Sequence, residues 1–166
     1  MIHPATQQPD SDIEAAPAFV SLSIGDVKIL TQQSNITSIE SSVDVDYSAG
    51  KDGAIGSINF NNQSIPVFRF NDQFECVNDK PGNIMVCAVL KNNAETIALM
   101  CQEVAAFRHP VVKINPLPEC MQMDVCPVDS LCLYADNNQS KIGFVISANS
   151  LLEYFRVKLM RVAGVS

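Results

Sequence analysis

Apolar and polar residues alternate with a period of two along most of this chain, the pattern of half-buried β-strands. Phe19, Leu22, Ile24, Val27 and Ile29 predict two short strands across the turn Gly25-Asp26. Ile36 and Ile39 belong to a further short element whose type the pattern does not fix, and the polar stretch 40–53 predicts a loop. A strand pair follows over residues 55–70, and then a second polar loop over 71–83. Its polar tetrad Asn61-Asn62-Gln63-Ser64 predicts a hairpin tip, because amide side chains satisfy local backbone groups and tolerate positive φ. Two more hairpins are expected. Residues 84–90 and 96–107 flank a turn at 91–94, and residues 131–134 and 142–147 bracket the polar run 135–140. Val111 to Ile114 leads into the proline-rich segment Asn115-Pro116-Leu117-Pro118. Near the C-terminus, Ser147 or Asn149 is placed to cap a helix whose apolar stripe is Leu151, Leu152, Phe155 and Leu159.

Many short strands, three hairpin signals and one closing helix predict a mainly β protein, a barrel or sandwich. With 166 residues, this is one domain or two small lobes sharing a core. A 47% hydrophobic and 17% charged composition suits a folded globule. The net charge of −7 argues against nucleic-acid binding, which needs clustered cations. Arg156, Lys158 and Arg161 are the one loose basic group, expected to solvate a helix face. Residues 1–17 lack both a basic and an apolar leader segment and are expected to form a flexible tail, with residues 18–166 as the domain. No apolar run approaches the ~20 residues that cross a bilayer, so a soluble, cytoplasmic protein is expected.

Candidate chemistry is sparse. Cys87 and Cys101 lie inside apolar runs, where a thiol acts as a small hydrophobe. Cys120, Cys126 and Cys132 recur at six-residue steps, wider than the usual pairing of zinc ligands, and Cys76 adds no pattern. Neither a metal nor another cofactor is expected. His109, the histidine outside the tail, sits beside Pro110 and predicts a loop residue rather than a base for a cysteine. No catalytic residue is proposed by spacing.

The strand pair resembles the CheW family, the coupling proteins of bacterial chemotaxis. There a Gly opens a strand running to Asn, an aliphatic residue, Arg and Gly, and a second strand holds Pro, apolar residues and Asp. Gly56, Asn59, Phe60, Pro66, Val67 and Phe70 fit that pattern. So do Phe19–Asp26 as an opening strand and Gly-Asp turn, Ile97–Val104 as an apolar strand, Ile114–Pro118, and Gly143–Leu152 as a closing strand and helix start. The resemblance implies two intertwined SH3-like β-barrels with a C-terminal helix. It implies a non-catalytic adaptor bridging a chemoreceptor cytoplasmic tip, held in an apolar groove between the barrels, to a histidine kinase regulatory domain packed on barrel ends. Chemotaxis, or a related pathway such as twitching motility, is the implied setting. It places partner contacts at Asn59, Asn61, Asn62, Pro66 and Arg69, with Pro66 where the strand bends into a short helical turn. Asn61 and Asn62 replace the family's Arg and Gly, and Arg69 and Gln102 replace acidic residues. Within the hairpin, Arg69 is expected to compensate for the Arg missing at position 61. Two rivals stay open: a CheW-like interaction module that binds other partners or itself and has lost kinase coupling, and a thiol-dependent enzyme on a β-barrel.

Overall fold

Two of the expected hairpins turn on an identical pair of residues. β4 (Gly56–Phe60) and β5 (Gln63–Arg69) join through Asn61 and Asn62, at φ 48° and 60°. β10 (Ser130–Asp136) and β11 (Gln139–Val145) join through Asn137 and Asn138, at φ 49° and 63°. Two successive positive φ values mark the type I′ turn, whose twist matches that of the flanking strands, and Asn enters this region more readily than most side chains. The tip is therefore two residues long, not four, and Gln63 and Ser64 already belong to β5.

The computed structural model describes residues 18–122 and 126–162, with side chains to residue 158. The expected N-terminal tail falls outside this range. β1 (Phe19–Ile24) and β2 (Val27–Gln32) form a hairpin over Gly25, whose φ of 56° suits glycine. The element of open type is a strand, β3 (Ile36–Ser41); a register shift between Ile36 and Ser38 blurs its period. β6 (Val86–Lys91) and β7 (Thr96–Cys101) form the next hairpin. The single strand expected over 96–107 is instead two, because the chain leaves one sheet at Gln102 and enters the other as β8 (Glu103–Ala106). β9 (Val111–Pro116) runs on into the proline-rich segment.

The strands form two sheets. The first has the order β8-β1-β2-β11-β10-β9, and the second β3-β6-β7-β5-β4. Both ends of the chain thus build the first sheet, meeting in the parallel pair β2–β11, while the middle builds the second. Each sheet curls over its own apolar interior: Phe19, Leu30, Cys132 and Tyr134 in the first, Ile58, Val67, Cys87 and Met100 among others in the second. Gly143 is fixed by the first interior, since a Cβ there would lie 2.9 Å from Leu30 Cδ1. The fold is mainly β, as expected, with one C-terminal helix.

That helix, α1 (Ala148–Val162), is started by a reciprocal cap. Ser147 Oγ accepts from the Ser150 N–H and Ser150 Oγ accepts from the Ser147 N–H, both at 3.1 Å, so Ser147 is the cap. Asn149 instead accepts a hydrogen bond from Asn92. Leu151, Leu152 and Phe155 turn inward to a third core, shared by Leu22 and Ile29 of the first sheet and Leu90 and Leu99 of the second. The loop after β5 reinforces this junction. Asn71 Oδ1 accepts from the N–H groups of Gln73 and Glu75, holding Phe74 at a φ of 59° against Phe70 and Phe144.

Candidate protein-binding groove

Side-chain alternation along β5 sends Ile65, Val67 and Arg69 to one face and Ser64, Pro66 and Phe68 to the other. The second face is the floor of two adjoining depressions that meet at Pro66 and Phe68. One, of about 580 Å³, is walled by the loop Ser48–Asp52 and reaches Ser57 and Ser64. The other, of about 330 Å³, is walled by Glu95, Thr96 and Ile97 at the start of β7 and by Leu152, Phe155 and Arg156 of α1. Phe68 stacks on Phe155 with ring centroids 3.7 Å apart, which ties the floor to the helix wall. The trough so formed is apolar at its base and charged at its rim.

Pro66 keeps this floor without breaking the sheet. In a two-residue hairpin the pair beside the turn, Phe60 and Gln63, is hydrogen-bonded, and pairs alternate from there. Pro66 opposite Ser57 is therefore a non-bonded pair, and pairing with β7 begins only at Val67. The missing N–H leaves no gap in either ladder. No helical turn occurs at Pro66, since β5 continues to Arg69.

Of the five residues implied by resemblance, Pro66 lines the trough, and Asn59 lies opposite Ser64 on the same hairpin. Asn61 and Asn62 are exposed at the tip. Arg69 stands apart. It lies on the other face, where Nη1 donates to the Asp79 carbonyl at 2.9 Å and to Asp79 Oδ2 at 3.1 Å. Seven residues of strand separate it from Asn62, ~23 Å at ~3.3 Å per residue and several Debye lengths of ~8 Å. The expected compensation within the hairpin therefore does not operate; Arg69 clamps the loop that follows β5. The residue-by-residue resemblance passed over Phe68, Leu152, Phe155, Glu95 and Arg156. Phe68 was within reach, being two places from Pro66 on a period-two strand.

The same loop closes the far end of the second sheet. Lys80 Nζ lies 4.9 Å from the centre of the Tyr47 ring. Val43 and Ile84, 69% and 75% exposed, flank a depression of about 420 Å³ there. Val112, Ile114 and Ile142 of the first sheet are also exposed, Ile114 and Ile142 on opposite faces.

Thiol chemistry finds little support. Burial pushes the Cys87 thiol up to about 11 and the Cys101 thiol up to about 12, so both stay protonated at neutral pH. Cys132 is buried and also raised, whereas Cys120 is exposed. No three His, Cys, Asp or Glu residues among those described are grouped to hold a metal ion. His109 is a loop residue, packed against Phe107 and Tyr134 with Nδ1 3.8 Å from Asp136. No helix among the described residues is long and apolar enough to cross a membrane.

The architecture has a solved counterpart. The chain is similar to the crystal structure of the scaffolding protein TtCheW from Thermoanaerobacter tengcongensis, with a TM-score of 0.63 and 16% identity over 82% of this chain and 92% of that one. This is a CheW-like fold. No protein-family model matches the sequence, and no curated protein matches it. At this identity the likeness establishes the fold alone.

Proposed function

We propose that this chain is a non-catalytic adaptor that couples chemoreceptors to a histidine kinase in a bacterial, cytoplasmic, chemotaxis-like pathway. The observation that carries the reading is the trough over Pro66 and Phe68, an apolar floor between the second sheet and α1 in a CheW-like fold. Such a trough suits a helical receptor tip, whose apolar stripe fills the floor while polar flanks meet the rim. The exposed pair Val43 and Ile84, at the end of the second sheet, suits the kinase regulatory domain, because apolar side chains this exposed mark contact surfaces when they cluster. Residues 18–166 act as one such domain.

Two surface substitutions separate these contacts. Ser64→Arg introduces a long cation at the trough without touching the core, Ser64 being exposed. It should weaken binding of receptor tip fragments from the same organism by at least ~10-fold and leave kinase binding intact. Val43→Asp with Ile84→Asp should do the reverse. Titration of both variants against both partners checks the assignment. Failure of the wild-type protein to bind either partner would remove the reading.

A further inference from the structure

We propose that Arg156 is a specificity-determining residue of the trough, selecting a partner helix that carries a carboxylate beside its apolar anchor. The inference rests on the adaptor reading but assigns the chemistry of one side chain. Arg156 and Lys158, two of the basic residues near the C-terminus, are not equivalent. Lys158 lies over the Tyr154 ring at 5.4 Å, whereas Arg156 lines the second depression together with Leu152 and Phe155. Its stem lies along an apolar wall and its guanidinium stands at the rim, the usual division of labour in a long cationic side chain.

Glu95, on the opposite wall, holds that guanidinium in place: Nη2 donates to Glu95 Oε2 at 2.7 Å. This is the one polar partner Arg156 has among the described residues. A guanidinium offers five N–H donors in a planar fork, so the remaining edge is left for a second carboxylate. At 57% exposure, the Arg156 side chain is accessible from solvent. Glu95 also narrows the choice. Its negative charge disfavours an acid placed on its own side of the trough, so a partner's carboxylate is accepted only where the free edge of Arg156 points. Glu95 acts here as a positioning residue.

The test uses the full chain and helical-hairpin tip fragments of the chemoreceptors encoded in the same genome, titrated calorimetrically. Arg156→Ala is expected to weaken the tip that binds by about tenfold, the scale of one charge-assisted hydrogen bond. Arg156→Lys should recover only part of that loss, because an ammonium keeps the charge without the fork. Changing one acidic residue of the tip to its amide should weaken wild-type binding equally and abolish the difference between wild type and Arg156→Ala. Binding that is unchanged in Arg156→Ala, or that couples to no acidic residue of the tip, overturns the inference and leaves the adaptor reading standing. Wild-type protein that binds no tip at all overturns both.

Discussion

Thr31 carries the one buried side-chain polar atom among the described residues that has no hydrogen-bond partner. It is fully buried on β2, opposite Val20, and so faces the core between the sheets alongside Leu22 and Ile29. A hydroxyl removed from water without a partner costs ~1–3 kcal/mol, while its methyl group packs normally. Thr31→Val keeps the shape and removes the orphan. We expect it to raise stability by ~1 kcal/mol, a Tm gain of ~2–4 °C. Thr31→Ala should fail to match it, because the cavity left behind offsets the gain. Thermal melts of the two variants decide this, and a lower Tm for Thr31→Val would show that the hydroxyl is satisfied after all.

Among the elements, the hairpins make the firmest link between residue and structure. At Asn62 and Asn138 the backbone adopts φ of 60° and 63°, which disfavours any branched side chain. Asn62→Gly should leave stability within ~0.5 kcal/mol of wild type, whereas Asn62→Val should cost ~1–2 kcal/mol. Denaturant midpoints at constant slope measure the difference, and equal midpoints would mean that the turn relaxes to another type. Because turn chemistry is local, these hairpins were legible in the sequence, as was the helix with its stripe of Leu151, Leu152 and Phe155. The break at Gln102 was not. Thr96 to Phe107 reads as one strand because the change of sheet is decided by which neighbours the chain meets, Met100 facing β6 and Val104 facing β1. At Pro66 the resemblance implied a bend, but β5 runs on to Arg69 and its pairing with β7 begins one residue later. The resemblance points to the hairpin that carries the floor of the trough and, in Asn61, Asn62 and Arg69, to residues the trough does not gather. The trough is made where β5, the loop Ser48–Asp52 and α1 converge, and no spacing in the chain records that convergence.

At the scale of the molecule, α1 decides whether the two sheets behave as one unit. Each sheet has a private interior, so separate unfolding would be possible if nothing joined them. The join is the shared core, where Phe155 stacks on Phe68 and lies 5.3 Å from Phe70, with Tyr154 donating a hydrogen bond to the Phe74 carbonyl at 3.1 Å. Phe155 is 3% exposed, and truncating such a side chain typically costs ~3–5 kcal/mol. Marginal domains of this size have only ~5–15 kcal/mol in total, so the loss is a large fraction. The consequence should be felt in both sheets, because Phe155 belongs to the core that Leu22 and Ile29 share with Leu90 and Leu99. We therefore expect Phe155→Ala to lower amide protection of β6–β7 and of β10–β11 by the same free energy in native-state hydrogen exchange. In the wild type those two hairpins should likewise exchange through one global opening. If β10–β11 loses protection while β6–β7 keeps its wild-type value, the sheets are independent, and α1, which follows β11, cannot hold its wall of the trough rigid against β5 for a partner. The same measurement thus bears on function, since Phe68 and Phe155 are at once the floor and a wall of the trough and the contact that ties α1 to the second sheet.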